Sequence, residues 1–81
     1  MAQNTDKELQ DFMKALGKNI KAAREKSNLT QSEMYQEPYK FERRYWQRIE
    51  AGEQNITVET IFNICKKLDV KPKDLFDFDI L

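Results

Sequence analysis

Arg43, Arg44 and Gln47 are the side chains of this sequence best suited to chemistry on another molecule. A guanidinium donates two parallel hydrogen bonds to the N7 and O6 of guanine in a major groove, and a glutamine amide pairs in the same way with adenine. Four residues apart, Arg43 and Gln47 fall on one face of a helix and can enter a groove together. Without a partner, the same three residues would be an ordinary solvated helix face. Lys40, just ahead of them, either meets a phosphate or is a solvated turn lysine. Glu42 either accepts a hydrogen bond from the amino group of cytosine or caps the helix that follows it. Tyr45, Trp46 and Ile49 form an apolar stripe on the opposite side and are expected to face a core.

Reaction chemistry has much less to work with. The chain has no histidine and one cysteine, Cys65, which lies in an apolar run and is expected to be a small core residue. No intrachain disulfide or Cys/His metal cluster can form from these residues, and a lone thiol suits a reducing compartment. There is no glycine-rich phosphate loop and no nucleophile–base pair, so an enzyme is the weakest reading and no cofactor or metal is expected. The first ten residues lack the apolar run of a signal peptide, and no stretch approaches the roughly 18 apolar residues of a membrane span. The expected location is the cytoplasm, with no membrane partner.

The formal net charge is zero, but the charges are unevenly distributed. Residues 18–48 hold eight basic and four acidic side chains, a net +4, whereas residues 1–17 and 49–81 carry −1 and −3. For binding a polyanion, a local field matters more than the total.

With two glycines and two prolines in 81 residues, the connections must be short and strands are not expected. Leu9, Phe12, Met13, Leu16, Ile20 and Ala23 recur at helical spacing. The Thr5–Glu8 capping pattern and the Ser27-Asn28 stop bound this first helix at about Asp6–Lys26. Thr30 and Glu33 form a second capping box. Pro38 disfavours helix at Glu37, so the second helix should stop near Gln36. A third helix is predicted from about Glu42 to Ala51, with Gly52 free to take positive φ. Thr57 can cap a fourth helix carrying Val58, Ile61, Phe62, Ile64, Cys65 and Leu68. Asp69-Val70 turns the chain, and Pro72 starts a short fifth helix ending at Leu75-Phe76. The whole chain reads as one domain, residues 1–81, without repeats or linkers, closed by an acidic and apolar tail from Asp77 to Leu81.

Five helices, with the second and third short and adjacent, describe an all-α bundle containing a helix-turn-helix. Leu16-Gly17-Lys18-Asn19-Ile20-Lys21, Arg24-Glu25-Lys26 and Leu29-Thr30-Gln31-Ser32-Glu33 resemble the opening of the Cro/cI-type (XRE-like) helix-turn-helix family. Arg48-Ile49-Glu50-Ala51-Gly52 resembles its R-I-E-x-G element. Asn55 to Ile61 and Leu75-Phe76 resemble the remainder, so the likeness covers about residues 16–76. It implies a compact five-helix bundle of the lambda-repressor-like type and a transcriptional regulator, such as a repressor. By the same resemblance, Gln31 would contact a phosphate and brace the recognition helix, Arg43, Arg44 and Gln47 would read bases, and Asn55 would meet the backbone. Arg24 and Glu50 would form a structural ion pair. The sequence departs from the family pattern in three places. The turn Glu37–Phe41 is about one residue longer and lacks glycine, Tyr35 replaces a small residue, and Glu42 stands where a small hydroxyl residue is common.

The partner expected from this reading is double-stranded DNA, bound by a homodimer on a near-palindromic site and without a small-molecule effector. Phage-type repressor, restriction–modification controller and antitoxin-type regulator all fit. The alternative is a protein-interaction module of the same fold, an antirepressor or adaptor, that does not bind DNA. Zero net charge, the altered turn and Glu42 favour that alternative, and the basic central segment opposes it. Phe76, Phe78, Ile80 and Leu81 either pack on the fourth and fifth helices or serve a dimer contact, to which Ile56, Val58 and Phe62 can add.

Overall fold

Apolar residues at three- and four-residue spacing give the first helix an apolar stripe that turns inward at Leu16 and Ile20, which are buried, while Leu9 at its start is exposed. The computed structural model describes residues 2–79, with side chains from residue 6 onward. The first helix, α1, is Ala2–Lys26, so it starts four residues before the expected Asp6. Thr5 lies within it and does not mark its start, and the Thr5 side chain lies outside the described residues. The C-terminus is closed as Asn28 predicts. Asn28 takes a left-handed φ of 61°, and the amides of Asn28 and Leu29 donate to the carbonyls of Glu25 and Arg24.

α2 is the single turn Gln31–Met34. Thr30 Oγ1 accepts from the Glu33 amide at 3.2 Å, and Glu33 Oε1 accepts from the Thr30 amide at 2.8 Å, completing the capping box. The helix ends two residues before the expected Gln36. Fully buried Met34 accepts at its carbonyl from the amide of Phe41, and this closes the chain on itself there. α3 is Arg43–Ala51, one residue shorter than expected because Glu42 is its N-cap and accepts from the Tyr45 amide at 2.7 Å. Gly52 ends it with φ 74°. α4 is Val58–Leu68, capped by Thr57 and terminated by left-handed Asp69. α5 is Pro72–Leu75.

The core is one cluster drawn from every helix: Leu16 and Ile20 from α1, Met34 from α2, Trp46 and Ile49 from α3, Ile64, Cys65 and Leu68 from α4, and Leu75 from α5. Phe41, ahead of α3, stacks obliquely on Trp46 with ring centroids 4.9 Å apart. The axis of the fold is the crossing of α1 and α3, which a glycine makes possible. A Cβ on Gly17 would lie 2.6 Å from the Ile49 carbonyl oxygen and 2.9 Å from that of Glu50. α3 therefore approaches α1 backbone to backbone at a distance only glycine allows.

The tail aromatics also reach α1, where Phe76 and Phe78 lie against Phe12. Phe78 meets Phe12 edge-on at 5.1 Å, and Phe76 lies 6.2 Å from the same ring. Asn19 Nδ2 donates to the carbonyls of Leu75 and Asp77, holding this turn on α1. Ile80 and Leu81 lie outside the described residues.

Candidate nucleic-acid interface

The orientation of α3 is set from its buried side by one carboxylate. Glu50 accepts from Arg24 Nε at 2.5 Å and Arg24 Nη2 at 3.2 Å, from Gln31 Nε2 at 2.9 Å and from Trp46 Nε1 at 2.7 Å. Four donors from α1, α2 and α3 itself thus occupy the roughly four lone-pair positions of a carboxylate. Arg24 Nη1 also donates to the Leu29 carbonyl at 2.7 Å. The Arg24 and Glu50 side chains keep only 9% and 4% of their accessible surface. The hydrogen bonds to Glu50 raise the Arg24 pKa further above its ordinary value, against the opposing effect of burial. A carboxylate can sit in such a core only because it is paired and fully hydrogen-bonded.

Trp46, Ile49 and Glu50 turn inward and half-buried Tyr45 packs against the same core, its hydroxyl donating to Thr60 Oγ1 at 3.3 Å, which leaves Arg43, Arg44, Gln47, Arg48 and Ala51 exposed on α3. Arg43, Arg44 and Gln47 are exposed and, with Glu42, line one shallow concavity at the start of the helix. Among the described residues, no hydrogen bond or ion pair ties down either guanidinium. Glu42 caps α3 at the edge of this concavity. Lys40 and Asn55 are exposed in the connections on either side of α3 and do not line the concavity. Gln31 is half-buried, and its amide donates to Glu50 on the inner face of α3.

Three further side chains support or extend this surface. Trp46 is expected in the core for its apolar ring, and its indole N–H also donates to Glu50, four residues along the same helix. The i, i+4 spacing was the available signal. Arg48 is exposed one turn beyond Arg44 and extends the cationic surface, by the same spacing that paired Arg43 with Gln47. Lys67 of α4 donates to the Gln36 carbonyl and, at 3.4 Å, to that of Tyr39. Nothing local in the sequence points to that contact.

These features define a small helical protein in which one short helix, fixed from beneath by a buried ion-pair network, presents cations and amides to solvent. Over 54 residues the chain is 44% identical to the control protein C.BamHI of Bacillus amyloliquefaciens, a match covering 62% of this chain and 67% of that protein. The chain belongs to the family of that control protein. The relative is a control protein rather than an enzyme, and this chain stands with it as a non-enzyme. No family model matches the chain, and no solved structure does. Among the described residues, no helix is long and apolar enough to cross a membrane, and no group of His, Cys, Asp and Glu side chains is placed to hold a metal ion.

Proposed function

We propose that this chain is a sequence-specific, DNA-binding transcriptional regulator of the Cro/cI-type (XRE-like) kind. In this reading α2 and α3 are its helix-turn-helix, within a lambda-repressor-like bundle, and α3 lies in the major groove. The observation that carries the reading is the untethered exposure of Arg43, Arg44 and Gln47 on a helix whose opposite face is locked by Glu50. A reading head needs both properties. The donors must be free to meet base edges, and the helix beneath them must be rigid enough to hold register.

Arg43 and Gln47, one turn apart, read guanine and adenine edges, and Arg44 meets a base or a neighbouring phosphate. Lys40 and Asn55 contact the backbone on either side. Gln31, at the start of α2, reaches a phosphate while bracing α3 through Glu50. Glu42 spends one carboxylate oxygen on its own cap, and the other can accept from cytosine. Val58 and Phe62 stand one turn apart on α4 and are 83% and 59% exposed. This apolar surface supports a homodimer, which would place two copies of α3 about 34 Å apart on a near-palindromic site. Of the three regulator types that the sequence admits, a control-protein relative favours the controller.

Selecting bound sites from a random duplex pool tests the reading. A single enriched, two-fold symmetric site is expected, with binding that weakens steeply as salt rises. Replacing Arg43 and Arg44 together by alanine should abolish enrichment and lower the salt slope by at most about one, since only Arg44 can supply a phosphate contact and each such contact removes about one unit. Failure of the wild-type protein to enrich any duplex at low salt would overturn the proposal.

A further inference from the structure

The connection between α2 and α3 is residues 35–42, and it makes its reversal without a glycine. Tyr39 takes a left-handed φ of 56°, a conformation that residues with a Cβ seldom adopt. At the neck of the connection, the Phe41 amide donates to the Met34 carbonyl at 3.0 Å, and the Phe41 ring is buried against Trp46. At its far side, two backbone carbonyls three residues apart, those of Gln36 and Tyr39, converge on one ammonium group. That group is Lys67 Nζ, from the last turn of α4 and 28 residues beyond Tyr39. Burial draws the Lys67 pKa down, while the nearby carboxylates of Glu37 and Glu33 favour its charged form. The lysine therefore ties two points of the connection to the last turn of α4.

We propose that Lys67 is a positioning residue for recognition: it clamps the α2–α3 connection, and through it sets the entry of α3 and the place of Lys40, without itself touching DNA. This rests on the DNA-binding reading above. Two of the three ammonium donors point at the protein's own carbonyls, so Lys67 acts on the connection and not on a phosphate.

The test compares Lys67→Met, which keeps the stem and removes the donors, with Lys67→Arg, which keeps charge and donors. Three quantities are measured: affinity for the selected duplex, affinity for an unrelated duplex, and hydrogen exchange of the Phe41 amide. For Lys67→Met, the expected result is about a tenfold or greater loss on the selected duplex with little change on the unrelated one, because non-specific binding is set by phosphate charge alone. Exchange at Phe41 should become faster, the melting temperature should stay within a few degrees, and Lys67→Arg should restore selectivity. Equal loss on both duplexes, with the salt slope reduced by about one, would make Lys67 a phosphate contact and overturn the proposal. Unchanged exchange at Phe41 would overturn it as well. If the wild-type protein selects no duplex, the DNA-binding reading falls and takes the recognition role with it. Exchange at Phe41 still reports separately whether the clamp exists.

Discussion

Replacing Arg24 by methionine removes three hydrogen bonds at once, two to Glu50 and one to the Leu29 carbonyl. It leaves the Glu50 carboxylate, 4% exposed, with only Gln31 and Trp46 as donors. Screening by water is slight at that burial, so the cost is that of an uncompensated buried charge, about 3–5 kcal/mol. An 81-residue domain has roughly 4–12 kcal/mol of stability in total. The variant should therefore lose about a quarter or more of it and melt at least about 12 °C lower. Urea unfolding followed by circular dichroism measures this directly, with Glu50→Gln and the double variant completing a cycle. The cycle should return a coupling energy above about 1 kcal/mol, because residues in one buried network do not add. A loss below about 1 kcal/mol for Arg24→Met would refute the argument, since it would mean that water reaches the pair and screens it as on a surface.

Gly17→Ala should cost about 1–3 kcal/mol in the same urea assay, because its methyl would meet the backbone carbonyls of Ile49 and Glu50, which cannot move aside like a side chain. Replacing Val58 and Phe62 together by aspartate should yield a monomer in sedimentation, with circular dichroism unchanged, since both side chains are largely exposed and their loss leaves no cavity. Burial shields the Cys65 thiol and raises its pKa, which lowers its thiolate fraction further, so iodoacetamide should label the native protein slowly and the urea-unfolded protein rapidly. The folded-state pKa of that thiol lies above its unfolded value, so its contribution to stability is complete below the unfolded pKa and is lost as the pH rises through the folded one. Stability should therefore decline in that alkaline range more than in a Cys65→Ala variant.

Most helix ends were legible because their signals are local. Thr30 with Glu33, Asn28, Thr57, Gly52 and Pro72 each satisfy or relieve backbone groups within four residues of themselves, and each acts where the sequence places it. The outward face of α3 was legible for the same reason, since helical periodicity separates Arg43, Arg44 and Gln47 from Trp46 and Ile49. The exceptions were ends and contacts decided at long range. Thr5 and Glu8 have the form of a start signal, but the helix continues through them to Ala2.

What the chain determines by itself is the succession of five helices, their caps and the division of α3 into an apolar and a polar side, because these depend on neighbours within about one turn. Tertiary structure alone decided where α2 stops, since Met34 is closed off by Phe41 and Gln36 is held by Lys67. It also decided that the tail aromatics rest on Phe12, that Gly17 is the point where α1 and α3 nearly touch, and that Trp46 and Gln31 join Arg24 on one carboxylate. These contacts join residues as far as 66 positions apart, a separation at which spacing carries no information and only the packed geometry of the helices brings partners together.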